Sequence, residues 1–393
     1  TSAQAIGGPS GADVLKSLDD FRADLVTKAI DKAKSNGSEV DAEDIQKQVK
    51  AKAEDAVKSI DVSKVAVADG LDWAQVFEIA DRPREAATLL TAFIGSKPEA
   101  PKLFEAQEML VSASWRIKDD KSVVATLQAM KPFDGGSSVK LAELVVTYVP
   151  HESGVLGLDP AAAMIDGALA GVPAADLTER QKDRLAELQS AGVEAKIALY
   201  RDAGKTDKAL AAIDGALKSA GPGLKDRLTM ERNRLTLVGM AAPDLKVEKS
   251  CGEFKSLADF KGKVVVLDFF AHWCDPCKSE FADLRKLLDD FKSKGLEVVG
   301  VTHYYGFFGD PDKPLTDEQE YAKMADFIKD EKIDWPIVIG PEDDFSTFGV
   351  AAIPQIVLIG RDGIVKSLEV GYSAGEFAQF RQKVEDLLAG KSR

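Results

Sequence analysis

"VVVLDFFAHWCDPCKSEF", residues 264–281, runs an apolar segment into two cysteines separated by two residues. Val264–Phe270 is apolar apart from Asp268, as suits a central strand buried on both faces. Phe281, Leu284, Leu287, Leu288 and Phe291 then recur at helical spacing. The cysteines therefore fall at a strand-to-helix turn, with Cys274 at the helix N-terminus. A metal clip, a structural disulfide and a reactive dithiol are the three chemistries open to such a pair.

The rest of the chain narrows the choice. Its 393 residues hold three cysteines (Cys251, Cys274 and Cys277) and three histidines. That is too few for a disulfide-stapled scaffold, and a four-ligand zinc site is hard to assemble from them. No metal and no cofactor is expected. A helix N-terminus stabilises a thiolate through its free N–H groups and dipole. Cysteines three apart on a first turn can form a disulfide, the first exposed to a partner and the second tucked behind. That suits thiol–disulfide exchange: Cys274 attacks, and Cys277 resolves the mixed disulfide. Asp268 is the candidate proton acceptor for Cys277, because a lone acid in a buried strand needs a partner or a role. The plainer alternative is a strand-end aspartate that reaches solvent.

These residues resemble the thioredoxin superfamily. "DFFAHWCDPCK" (268–278) is similar to its active-site segment, and "AAIPQIVLIGRDGIV" (351–365) to its cis-proline loop, strand and glycine turn. "APDLKVEKSCGEFKSLADFKGKVVVLDFF" (242–270) resembles the TlpA-like, redoxin-type bacterial branch, which adds an N-terminal β-hairpin. The resemblance implies an α/β thioredoxin-like domain, a protein thiol–disulfide oxidoreductase, and roles by position. Cys274 would attack, Cys277 resolve, and Asp268 be the buried acid. Pro354 would be the cis-proline facing the disulfide, Ile353 would offer backbone groups to substrate, and Trp273 would wall the site. It further implies protein thiol and disulfide substrates, an upstream thiol donor and a bacterial extracytoplasmic setting. Asp275-Pro276 and Ile353 lean toward the reducing side of a family spanning about −270 to about −120 mV.

Some positions depart from the family. Gln355 follows the proline where many relatives have Thr. In "VTHYYGFFGDPDKP" (301–314), His303, Tyr304 and Tyr305 occupy the place where TlpA-like chains often carry an acid, and a longer insertion follows. His303, Tyr304 and Tyr305 there either line a substrate groove or pack as the root of a loop. His272 either lowers the pKa of Cys274 when protonated or is an exposed side chain. Asp275 should oppose thiolate formation by like charge. Cys251 reads as a minor thiol, and His151 as isolated. Neither cysteine of the pair has the Pro-x-x-x-Thr-x-x-Cys setting of a peroxidase nucleophile.

Ahead of this domain the chain reads as helical. Residues 1–12 look like a flexible leader. Residues 13–65 look like two amphipathic helices, at 13–36 and 41–60, forming a hairpin or an interaction arm. Residues 66–238 form a helical domain in which Ala86, Ala161 and Ala209 each precede a proline by about one helix. "YRDAGKTDKALAAIDGALKSAGP" (200–222) matches a tetratricopeptide-like hairpin, so the region is a diverged repeat layer or an irregular helical domain. The texture changes at Gly239, where a polar linker enters a β-hairpin. Strands are expected at 264–270, 296–301 and 356–359, with helices at 277–294 and 318–331. The fold class is thus multi-domain: all-α, then an α/β thioredoxin-like domain at 239–393.

A net charge of −14 disfavours nucleic acid and anionic membranes, because phosphate binding needs clustered Lys and Arg. No apolar stretch is long enough to span a bilayer. The start at Thr1 rather than Met suggests processing or trimming, which leaves room for a removed export signal. An oxidoreductase with a helical partner-binding module is therefore the favoured reading. The alternative is a helical-repeat interaction protein whose thioredoxin-like domain senses redox state or acts as a tether.

Overall fold

A computed structural model describes residues 9–37 and 39–391. Most of the expected leader, residues 1–8, lies outside the described residues. The chain forms two compact units divided between Lys205 and Thr206.

The first unit is helical: α1 (Gly11–Asn36), α2 (Ala42–Val57), α3 (Gly70–Ile79), α4 (Pro83–Gly95), α5 (Ala100–Arg116), α6 (Asp120–Ala129), α7 (Gly135–Tyr148), α8 (Ser153–Leu156), α9 (Leu158–Ala170) and α10 (Glu179–Asp202). Ser10 caps α1 with a capping box, and Gly37 ends it in the left-handed region at φ 69°. The first two helices pack rather than project. Val14 and Leu18 of α1 share a core with Ile45, Val49, Ala53 and Val57 of α2 and with Trp73 and Phe77 of α3. A second core joins α5, α6, α7, α9 and α10. Ala86 and Ala161 are fully buried, as close helix approach requires. Among the described residues, no helix is long and apolar enough to cross a membrane.

The second unit contains α11 (Thr206–Ala216), α12 (Pro222–Leu237), β1 (Lys249–Cys251), β2 (Val264–Phe269), α13 (Asp275–Phe291), β3 (Leu296–Thr302), α14 (Asp317–Asp330), β4 (Ile337–Ile339), α15 (Asp343–Thr347), β5 (Gln355–Ile359), β6 (Val365–Val370) and α16 (Ala374–Leu388). The strand order is β1-β4-β3-β2-β5-β6. The three central strands β2, β3 and β4 run parallel, and β1, β5 and β6 pair antiparallel. The apolar strand of the opening sequence lies at the middle, and every residue of it is buried.

Two expectations change here. Residues 239–263 contain no hairpin. Ala241 bridges to Ile364 beside β6, whereas Lys249–Cys251 pairs with β4, so the segment serves opposite edges of the sheet. The break in texture at Gly239 also differs from the division into compact units. It marks where the sheet-forming sequence begins, but α12 already packs on the sheet's layer. Leu237 is buried in the same core as Phe345 and Phe348. Asn233 donates from Nδ2 to the Ser346 carbonyl at 2.9 Å. Gly349 has φ 65°, and a Cβ there would lie 2.5 Å from the Arg234 nitrogen, so glycine is what lets the helix approach. A polar, weakly amphipathic helix carries little signal of such a contact.

Candidate active site

Strand alternation sorts the chemistry onto one face. Val264, Val266 and Phe270 enter a core with Cys274, Cys277, Phe281 and Leu284. Val265, Leu267 and Phe269 enter the opposite one. Asp268 is two residues beyond Val266 and pairs in register with Gly300 and Ile356, which puts it on the cysteine face.

Cys274 and Cys277 are joined as a disulfide, with Cα atoms 5.3 Å apart. Cys274 is the N-cap of α13, and its sulfur accepts the Cys277 N–H at 3.2 Å. Pro276 sits in the first turn, where its missing N–H leaves no bond unmade. Both cysteines are covered: Cys274 is only 4% exposed and Cys277 fully buried. Cys274, expected to be exposed to a partner, is thus almost as covered as Cys277 in the oxidised pair. The exposed neighbour is Trp273, at 45%.

Asp268 is fully buried, and neither carboxyl oxygen has a hydrogen-bond partner within the protein. The alternative of a strand-end aspartate in solvent is excluded. Burial raises its pKa well above the carboxylate range. A second acid, not anticipated from the sequence, accompanies it. Glu280 of α13 is 1% exposed, and its Oε2 is likewise without a partner. Its pKa is raised first by burial, then by the charges of Asp268 and Asp283. The signal was available: Glu280 falls on the apolar stripe of α13, three residues after Cys277 and one before Phe281.

Ile353–Pro354 is a cis peptide bond. Pro354 is buried and Ile353 half-buried against the cysteine-face core. Gln355 is fully buried and donates from Nε2 to the Phe348 carbonyl at 3.2 Å.

Other candidates move. His272 is 5% exposed rather than free in solvent. Burial pushes its pKa down to about 4, so the ring is neutral near pH 7 and lends Cys274 no positive charge. Asp275 is exposed and pairs with Lys278 at 3.2 Å, so solvent and the lysine weaken its effect on the thiolate. His303, Tyr304 and Tyr305 are half-buried, and Tyr305 packs edge-on against Trp273. Cys251 is a half-buried free thiol in β1 whose pKa is raised by burial. His151 packs against the Trp115 ring in the helical unit.

Comparison with known proteins covers only this end of the chain. The profile of the AhpC/TSA family matches residues 238–368. The thioredoxin-like protein YneN of Bacillus subtilis is 30% identical over 133 residues, 34% of this chain and 71% of YneN. The thiol–disulfide oxidoreductase ResA of the same organism is 30% identical over 134 residues, 34% of this chain and 67% of ResA. A solved thioredoxin domain of a thiol–disulfide oxidoreductase from Bacteroides vulgatus is 25% identical. It spans 38% of this chain and 97% of that domain, with a TM-score of 0.30. Through its C-terminal residues, the chain belongs to the thioredoxin-like family of thiol–disulfide oxidoreductases.

Proposed function

We propose that Cys274 and Cys277 are the exchanging dithiol of a protein disulfide reductase. The observation that carries this is the sulfur of Cys274 at the N-cap of α13, accepting the N–H of the cysteine to which it is bonded. A thiolate released there keeps that hydrogen bond and the helix dipole. In the reduced enzyme, Cys274 attacks a substrate disulfide, forming one mixed disulfide and expelling one substrate thiolate. Cys277 then attacks Cys274, closing the 274–277 bond and releasing the second substrate thiol. An upstream thiol donor returns two electrons to reopen the pair.

Asp268 and Glu280 handle the protons behind the cysteines. With pKa values raised by burial, these acids can take up the Cys277 proton as that thiol becomes the attacking thiolate. Ile353 offers backbone groups to an extended substrate, the cis-proline Pro354 faces the disulfide, and Trp273 walls the site. Residues 239–393 carry the sheet and the cysteine pair, α11 and α12 complete that catalytic unit, and the helices of the first unit select or position a protein partner. An extracytoplasmic bacterial setting fits the resembled branch.

The test is substitution of each sulfur. Cys274→Ser should abolish donor-dependent reduction of insulin or hydroxyethyl disulfide, and activity retained in this variant rejects the assignment. Cys277→Ser should accumulate a mixed disulfide on Cys274, visible as an adduct by intact mass, because attack survives and resolution does not.

A further inference from the structure

The 303–316 insertion has a built geometry that the exchange chemistry does not use. It leaves the end of β3 and closes on itself. Leu315 N–H donates to the Gly306 carbonyl at 2.7 Å, and Phe307 bridges Pro314. Asp310 and Lys313 close the tip, with an ion pair at 2.8 Å. The base is held from α14. The carboxyl group of Glu320, 2% exposed, accepts the N–H of Tyr305 at 3.0 and 3.1 Å and that of Gly306 at 2.9 Å.

The clamped segment carries three rings to the residues just before Cys274. Phe308 stacks on His272 with centroids 4.2 Å apart and planes 12° apart. Tyr305 and Phe307 meet the same imidazole edge-on at 5.6 and 5.3 Å. Tyr305 also meets the Trp273 ring at 5.5 Å. The imidazole is neutral, so its 3.8 Å approach to Glu320 is not an ion pair. His272 acts here as a flat aromatic spacer between the insertion and the active-site turn.

We propose that this insertion is a fixed aromatic wall of the polypeptide-binding surface, that Glu320 is its positioning residue, and that the wall takes a large apolar side chain next to the substrate's cysteine. Cys274 is nearly covered while its neighbour Trp273 stands half exposed, so the indole is the part of the active-site turn open to a partner. Phe307 is half-buried and is linked to Trp273 through the Tyr305 ring, while the half-buried Phe308 anchors the insertion on Phe327 of the core. A polypeptide with an aromatic or large aliphatic residue beside its disulfide is the occupant such a surface fits. Glu320 does not touch the reacting atoms. It acts by holding the Tyr305 and Gly306 backbone, which fixes where the rings stand.

This inference rests on the exchange reading, and its test separates the two. Two disulfide peptides of equal length, with Phe or Gly beside the cysteine, are reduced by the full chain alongside hydroxyethyl disulfide. The Phe peptide should show a KM lower by about tenfold, the size of one apolar contact in a specificity site. Glu320→Ala should erase that difference, while kcat on hydroxyethyl disulfide stays within about twofold. Glu320→Gln retains an acceptor oxygen and should restore part of the preference. Phe307→Ala, at the half-exposed rim, is the second variant and should reduce the preference even if Glu320→Ala fails to fold. Equal KM values for the two peptides in the unaltered protein, or a preference that survives both Glu320→Ala and Phe307→Ala, overturns the wall. Absence of activity on hydroxyethyl disulfide overturns the exchange reading instead.

Discussion

The two faces of the central sheet are built from the same strands and differ in what they bury. One face sets Phe269, Val299, Val301, Val338 and Val357 against Phe345, Phe348 and Leu237. The other carries an equally apolar lining, yet embeds Asp268, Glu280 and the two cysteines in it. A buried carboxyl group without a hydrogen-bond partner is costly, whereas a buried phenylalanine is stabilising. The apolar face therefore holds the domain together, and the other accepts a stability cost around its sulfurs. Perturbed acids gathered at one place are what a proton-handling site requires. The contrast predicts that substitutions on the two faces move stability and activity in opposite directions.

The largest effect should come from the apolar face. Phe348 is fully buried, with its ring 5.2 Å from that of Phe269. Phe348→Ala should lower unfolding stability by about 3–5 kcal/mol in urea titration, and residual folded protein should keep its exchange rate. A loss of activity without a loss of stability would place chemistry on this face after all.

Next in size is the contribution of α12. A fragment of residues 239–393 contains the whole sheet but lacks Leu237 and the helix against Gly349. It should retain activity on hydroxyethyl disulfide, yet be less stable than a 206–393 fragment by about 2–5 kcal/mol, the range for losing a large core side chain. Equal urea midpoints for the two fragments would show that α12 contributes nothing to this unit and that the domain begins at the break in texture.

The smallest shift, with the opposite sign, concerns Asp268. Its folded pKa lies above the ordinary 3.8, so the native state binds more protons than the unfolded state over the interval between the two values. Stability should therefore fall as pH rises from about 4 toward the raised folded pKa, and the penalty is complete above it. Asp268→Leu removes this term and should raise stability at pH 8 by on the order of 2 kcal/mol while slowing exchange. Some slope should remain, because Glu280 is raised as well. Parallel unfolding curves for the variant and the unaltered protein at pH 5 and pH 8 would mean that the Asp268 carboxyl group is solvated.

Much of the site could be read directly from the chain because it is local. A β-branched run, a turn and an amphipathic helix place Cys274 at the N-cap whatever surrounds them, since strand and helix periodicity decide which residues share a face. The helices at 13–36, 277–294 and 318–331 were legible for the same reason, to within a few residues at each end. Asp268 stood out as a lone acid among valines, with a buried role and a solvent-reaching strand end both open until the fold buried it.

What tertiary structure alone decided was the company each residue keeps. Glu280 lies on the apolar stripe of its helix, but only packing brings it within the electrostatic reach of Asp268. His272 reads as a titratable neighbour of the nucleophile, but the folded insertion encloses it in aromatic rings and removes its charge. Residues 239–263 suggest a hairpin because turns and short strands look alike in sequence, yet their hydrogen bonds go to opposite edges of the sheet. α12 shows no strong apolar stripe, and its place against the sheet depends on one close approach at Gly349. Hydrophobic period and turn chemistry are properties of neighbouring residues, so the sequence by itself determined the strand, the turn, the helix and the position of the two sulfurs. Burial, charge state and edge pairing depend on segments brought together from far along the chain, and those only the folded structure could assign.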